Sequence, residues 1–285
     1  MPQANIHLLV IDPQNDFCDL PVDWCPAQLP QPSPAPALPV AGAHADMLRL
    51  AALIDTAGDR IGRITVTLDS HQRLDIAHPG FWQREGGADV QPFTQITAAQ
   101  MRAGDFAPRD PASAGRALAY LDALEQRGRY TLMVWPVHCE IGSWGHGVHA
   151  AVRAAYNRWE ERHLAIVEKV LKGTNPWTEH YSALQAEVPY DDAPETQLDR
   201  ALLARLDEAD AIVIAGEASS HCVKATVEDI AHHLPSGDLG KLVLLSDCMS
   251  PVAGFEPQGH AFVEAMRTRG AVVTTSAEWL AARAF

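Results

Sequence analysis

Cys222 stands where an apolar run, Asp210-Ala-Ile-Val-Ile-Ala-Gly216, passes through a small-residue turn into a helical pattern, Cys222–Ala231. A thiol at a strand-to-helix turn lies among unpaired backbone N–H groups at the positive end of a helix dipole. That setting favours the thiolate, the form of cysteine that attacks carbonyl carbons. The competing reading is a buried structural cysteine. Asp12, at the end of the apolar run Ile6–Ile11, supplies a carboxylate that can take a thiol proton and return it to a leaving amine. Lys172 ends a further apolar run and would lower a neighbouring thiol's pKa and steady negative charge. A loop cap for Asp12 and a surface charge for Lys172 are the alternatives, with Lys169 the fallback lysine.

A second set of residues has the character of metal ligands. Asp69 and His71 are two apart in an extended segment and so share a side, His138 lies in Trp135-Pro-Val-His-Cys139, and His78 follows in Ala-His-Pro. One carboxylate with two or three imidazoles suits zinc, iron or manganese, with positions left for water. His78 reads equally well as a loop histidine satisfying backbone groups. Cys139 reads as a packed thiol.

The elements that must position these residues are apolar, β-branched runs at Ile6–Ile11, Ile64–Leu68, Tyr130–Val134, Ala165–Leu171, Ala211–Ala215, Leu242–Leu245 and Ala271–Thr275. Amphipathic stretches separate them, near Ala43–Ala57, Ala114–Arg127, Val148–Arg162, Asp199–Asp207, Val223–His233 and Gly259–Arg269. Alternation of the two predicts a mainly parallel sheet covered by helices on both faces. Ligands of such sheets bind beyond the carboxyl ends of the strands, where Asp12, Asp69, Trp135, Lys172 and Cys222 all fall. Their convergence on one edge is the strongest signal in the chain. The proline-rich stretch 26–39 and the irregular stretch 83–129, with a short helix expected at Ala98–Arg102, read as insertions in a single domain spanning 1–285.

Composition removes several classes of function. No apolar run approaches transmembrane length, and the first residues carry no basic region of a signal peptide. Five irregularly spaced cysteines predict no disulfide framework and fit a reducing cytoplasm. A formal charge of −14 argues against nucleic acid or an anionic membrane as partner.

Asp12-Pro-Gln-Asn-Asp-Phe17, Asp69-Ser-His71, Trp135-Pro-Val-His-Cys139, Lys172-Gly-Thr and Gly216-Glu-Ala-Ser-Ser-His-Cys222-Val-Lys-Ala-Thr226 together resemble the isochorismatase-like cysteine hydrolases. Within that superfamily they look most like the nicotinamidases (pyrazinamidases). The resemblance runs from Ile6 to about Asp247. It implies a three-layer α/β/α fold with a six-stranded, mainly parallel sheet. It also implies an Asp12–Lys172–Cys222 triad, and a divalent metal, zinc before iron or manganese, on Asp69, His71 and His138 with His78 as an added ligand. The backbone N–H groups of Ala218 and Cys222 would form an oxyanion hole beside a cis Glu217–Ala218 peptide. Phe17, Trp135 and Tyr181 would enclose a pyridine ring, where composition alone suggests ordinary core packing.

The implied activity is hydrolysis of nicotinamide to nicotinate and ammonia through a cysteine thioester, within NAD salvage. The expected partner is a small-molecule amide, with a homo-oligomer as a further expectation. Another small amide, such as a carbamoyl or ureido compound, is the alternative substrate. A non-catalytic metal-binding protein on the same fold is the rival of another class. Pro13 and the turn Glu217-Ala-Ser-Ser-His221 depart from the family's usual residues. Glu217 sets a charge close to the nucleophile, where it either meets substrate or points away.

Overall fold

The computed structural model describes residues 5–27 and 35–282. Residues 28–34, half of the proline-rich insertion, therefore lie outside the described residues. Six strands, β1 (Ile6–Ile11), β2 (Ile61–Asp69), β3 (Glu168–Lys172), β4 (Ala211–Gly216), β5 (Leu242–Leu245) and β6 (Val272–Thr274), form one parallel sheet. Their order is β6-β5-β4-β1-β2-β3. The two central strands, β1 and β4, are buried at every position, which is why they read as unbroken apolar runs. The edge strand β3 alternates instead and leaves Lys169 and Leu171 exposed.

The α-helices of the described residues are α1 (Ala43–Ala57), α2 (Ala98–Ala103), α3 (Ala114–Arg127), α4 (Ala150–His163), α5 (Arg200–Asp207), α6 (Cys222–His233), α7 (Glu256–Thr268) and α8 (Ser276–Ala281). Helix α1 packs against α4 and α8. Helix α7 starts three residues before the expected Gly259, because Pro257 is tolerated in a first turn, where its missing N–H breaks no helical bond. The short α2 carries a capping box, Thr97 with Gln100, a signal readable as Thr-x-x-Gln in the sequence.

One expected strand sits elsewhere. Of the run Tyr130–Val134, only Leu132–Val134 is a strand, and it pairs antiparallel with Thr94–Ile96 outside the main sheet. The 83–129 stretch brings its own partner strand and its own apolar cluster, in which Leu132 and Val134 are buried with Phe81, Trp82, Tyr120 and Leu124. Met133, pointing to the other face, joins the main core. A second short pair, Trp82–Arg84 with Phe106–Pro108, lies in the same stretch.

The strand order places the chemistry. Connections diverge on either side of the β1–β4 pair, and the crevice at that switch point is where open α/β sheets bind ligands. Asp12 follows β1, and Cys222 follows β4 after one turn. Asp69 at the end of β2 is in register with Lys172 at the end of β3. Gly216, in register with Ile11, closes β4 with φ of 124°. A side chain there would drive its Cβ into the Ile11 backbone. Gly216→Ala is accordingly expected to destabilise the protein by about 3 kcal/mol or more, read from the urea midpoint.

Candidate active site

Asp12 is fully buried and holds a left-handed φ of 44°, a conformation that aspartate tolerates better than most residues. Thr67 of β2 fixes it twice. The Asp12 N–H donates to Thr67 Oγ1 at 3.0 Å, and the Thr67 hydroxyl donates to Asp12 Oδ1 at 2.5 Å. The other oxygen, Oδ2, lies 3.0 Å from Lys172 Nζ.

Lys172 is the hub. Its ammonium also reaches Asp69 Oδ1 at 2.9 Å, the His180 carbonyl at 2.9 Å and Cys222 Sγ at 3.5 Å. Burial works against a charge here, but the Asp12 and Asp69 carboxylates outweigh it and hold the Lys172 ammonium well above the usual lysine range. Lys169 is exposed and turns to Glu160 and the Val167 carbonyl, away from the cluster.

Cys222 opens α6, with Lys172 and Asp12 against its sulfur. Burial pushes this thiol well above the ordinary range, Lys172 pulls it down, and Asp12 and Asp69 push it up again. The helix terminus therefore does not yield a resting thiolate, as the sequence reading expects. Burial beside two carboxylates holds the proton on the sulfur against the pull of Lys172, and the thiol needs a base. Asp12 has the character of one: burial raises its carboxyl above the normal value, against the pull of Lys172.

The Glu217–Ala218 peptide bond is cis. The Ala218 carbonyl accepts the N–H groups of His221 (3.0 Å) and Val223 (3.1 Å), on either side of the nucleophile. Those of Ala218 and Cys222 make no hydrogen bond among the described residues.

The imidazoles lie on the other side of Asp69. Its Oδ2 is 3.1 Å from His71 Nε2 and 3.4 Å from His138 Nε2. His71 Nδ1 meets Asp75 Oδ2 at 3.2 Å, His138 Nδ1 donates to the Pro136 carbonyl at 2.8 Å, and His78 Nδ1 donates to the Gln72 carbonyl at 3.2 Å. Each ring is thus tied at Nδ1 and offers Nε2. The three histidines present ligand atoms within 4.8 Å of one another, all of them buried. Burial lowers His78 to about 3, so the ring is neutral, and its Nε2 lies 3.3 Å from His138 Nδ1, a weak contact that a ligand would displace. Asp69 and Asp75 hold His71 well above its ordinary value despite burial, and a cation bound at Nε2 would replace that proton. A buried set of three imidazoles and a carboxylate fits a divalent metal.

Phe17, Trp135 and Tyr181 line a cavity over Cys222 and Ala218, joined by Leu38, His221 and Val252. The Trp135 indole N–H donates to the Tyr181 hydroxyl at 3.0 Å, which fixes both rings. Cys139 is buried in the main core and donates its N–H to Asp16 Oδ2 at 2.7 Å.

Four contributors escape the sequence reading. Gln14 pairs with the backbone of Asp69, accepting its N–H at 2.7 Å and donating to its carbonyl at 2.8 Å, and so docks the end of β2 on the loop after β1. Glu179 lines the cavity with Oε2 buried and unpartnered, its carboxyl raised by burial. His180 orients the site through its carbonyl to Lys172 and through Nδ1, which accepts the Gly173 N–H at 2.9 Å. Asp75 seats His71. Only Gln14 had a visible signal, its place inside the Asp12–Phe17 motif.

No family model matches the sequence. A curated nicotinamidase from Escherichia coli (strain K12) is 28% identical over 277 residues, covering 95% of this chain and 95% of that protein. The yeast nicotinamidase Pnc1p superposes with a TM-score of 0.62 at 21% identity, over 94% of this chain and 99% of that one. The fold is that of the isochorismatase-like hydrolases, and the chain is nicotinamidase-like. The pyrazinamidase of Pyrococcus horikoshii in complex with zinc has the same fold, with a TM-score of 0.54 at 18% identity over 95% of this chain and 99% of that one.

Proposed function

We propose that this chain hydrolyses nicotinamide to nicotinate and ammonia through a thioester on Cys222. The observation that carries the reading is the single ammonium of Lys172 touching Asp12, Asp69 and Cys222 at the floor of an aromatic cavity. The nicotinamidase relative, alike over nearly the whole chain, supports the substrate.

Asp12 takes the Cys222 proton as the sulfur attacks the amide carbon, while Lys172 balances the negative charge that moves between them. Charge on the carbonyl oxygen develops against the Ala218 and Cys222 N–H groups, donors of a kind worth about 3 kcal/mol each in such sites. Asp12 passes its proton to the departing ammonia. It then accepts a proton from the water that attacks the thioester, nicotinate leaves, and the thiol regains its hydrogen. Phe17, Trp135 and Tyr181 sandwich the ring and exclude bulk water.

Asp69, His71 and His138, with His78, would hold a divalent ion, for which the zinc-bound pyrazinamidase makes zinc the first choice before iron or manganese. When bound, such an ion supplies a Lewis-acidic docking point for a pyridine nitrogen or a water. Asp75→Ala removes the acceptor that orients His71, and metal affinity is expected to fall roughly 10- to 100-fold, measured by competition with a chromophoric chelator. Unchanged affinity would take His71 out of the ligand set.

Ammonia release from nicotinamide, measured beside a panel of other small amides, tests the substrate. Fastest turnover of nicotinamide supports the reading. A preference for a carbamoyl or ureido compound would favour the second reading, for which Leu38, reaching the cavity from the proline-rich insertion, is the specific support. No helix among the described residues is long and apolar enough to cross a membrane. Five free cysteines support a reducing cytoplasm. One apolar core spanning the sheet supports a single domain with insertions at 26–39 and 83–129. The exposed Leu164, Ile166 and Leu171 around edge strand β3 support a homo-oligomer.

A further inference from the structure

Glu217 immediately precedes Ala218 and is fully buried, yet it is absent from the cavity lining. Its side chain turns the other way, between α1 and the loop after β5. Glu217 Oε2 accepts the Ser250 N–H at 3.0 Å, and the Ser250 hydroxyl donates to Asp46 Oδ2 at 2.6 Å. Asp46 also receives the Arg49 guanidinium. The backbone is strapped alongside: Gly216 N–H to the Cys248 carbonyl at 2.9 Å, Glu217 N–H to the Ile11 carbonyl at 2.8 Å, Ser219 N–H to the Ser250 carbonyl at 2.9 Å.

Glu217 Oε1 is buried with no donor directed at it. Burial raises the Asp46 carboxyl as well, but a hydroxyl and a guanidinium donate to it and pull it back down, which makes Asp46 the anion of the pair. The proton between the two carboxyls therefore belongs on Glu217, whose O–H then has Asp46 as its acceptor.

We propose that Glu217 is a positioning residue for the oxyanion hole, its neutral carboxyl clamped between Ser250 and Asp46 so that the Ala218 and Cys222 N–H groups converge on the reacting carbonyl oxygen. This inference rests on the cysteine-hydrolase reading above and deepens it. Burial and then the Asp46 charge raise the Glu217 carboxyl well above its ordinary value. The groups that act on it are Asp46 from α1, Cys18 and Asp19 from the loop after β1, and Ser250 from the loop after β5, with Arg49 of α1 and Asp247 of the β5 loop one step further out, around Asp46 and Cys248. Arg49, the cation among them, is engaged by Asp46 and the Asp247 carbonyl. When Glu217 loses its proton at high pH, two carboxylates share one buried pocket, and the turn must give.

The test compares wild type, Glu217→Ala and Glu217→Gln by three readouts. These are kcat and KM for amide hydrolysis, inhibition by small aldehydes (acetaldehyde and pyridine-3-carbaldehyde), and Cys222 alkylation by iodoacetamide. An aldehyde forms a C–S bond to Cys222 while its carbonyl oxygen takes the negative charge and then the thiol proton. It therefore needs the oxyanion hole. Alkylation displaces iodide at a saturated carbon and does not. Glu217→Ala is expected to lower kcat roughly 100-fold and weaken aldehyde inhibition similarly, with KM and alkylation within about 3-fold of wild type.

Glu217→Gln keeps a neutral acceptor for Ser250 and a donor for Asp46. It is expected to restore kcat and to move the high-pH fall of activity upward by about one unit or more. Equal losses in alkylation and hydrolysis, or a Glu217→Ala protein with unchanged kcat and aldehyde inhibition, would overturn the proposal. If Glu217→Ala does not fold, an unchanged high-pH limb in Glu217→Gln overturns it. Wild type that is alkylated at Cys222 but hydrolyses no amide defeats the proposed function instead, while the aldehyde and alkylation comparison still decides the role of Glu217.

Discussion

Cys222→Ala is expected to lower ammonia release from nicotinamide by about four orders of magnitude or more, leaving fold and metal content unchanged. The effect is large because no other group can form the covalent intermediate. Cys139 and Cys248, buried elsewhere in the core, do not line the cavity, and Asp12 has no second thiol to deprotonate. The fold should survive because the sulfur is a poor anchor. Its contacts are a 3.5 Å approach by Lys172 and a carboxyl that burial already discourages from charging. Cys222→Ser should be nearly as inactive, since a hydroxyl lies far beyond the proton affinity of Asp12. The measurement is a coupled ammonia assay at saturating substrate, with bound metal counted in the same samples. Activity above about 1% of wild type would mean that water, activated without Cys222, carries the hydrolysis, and the thioester step would have to be abandoned.

The parts of this molecule that were legible in the chain are those in which local pattern and tertiary role coincide. The strands β1 and β4 are buried on both faces, so their apolar runs name them without help. Asp12, Asp69 and Lys172 each stand at the end of such a run, and an open sheet sends whatever ends its strands to one edge. Helix α1 and helix α3 fall on their expected limits because period and termini agree over four turns. The failures have the opposite cause. A three-residue strand such as Leu132–Val134 alternates between two cores, and nothing local says which sheet it joins. Gln14 matters through the backbone of a residue 55 positions away. The titration of Cys222 is set by the joint burial of groups from three strands, so a rule about helix termini, correct for an exposed thiol, gives the wrong resting state here. Glu217, a charged residue beside a nucleophile, leaves two readings open in the sequence, contact with substrate or a side chain that points away. Only packing reveals that it faces α1.

Lys172→Met should damage both stability and rate, for one electrostatic reason. The ammonium is 1% exposed and lies 3.0 Å from Asp12 and 2.9 Å from Asp69, so it is the counter-charge of two carboxylates that water cannot reach. Methionine fills nearly the same volume, so the loss is one of charge and hydrogen bonds rather than packing. Breaking a buried pair from one side costs about 3–5 kcal/mol, because the partner is left charged and desolvated. That cost should appear in the urea midpoint of the metal-free protein. Loading the histidine site with a divalent ion should reduce it, since a cation on the far side of Asp69 can take over part of the role of Lys172. Replacing Asp12 by Asn in the same chain should also restore part of the stability and none of the activity. The rate should fall about 1000-fold, because without Lys172 the proton stays on the thiol and the developing sulfur charge meets only Asp12 and Asp69. A Lys172→Met protein as stable as wild type, with or without metal, would show that the two carboxyls are neutralised by some other means. The Asp12–Lys172–Cys222 arrangement would then be a packing contact rather than the charge balance on which the hydrolysis depends.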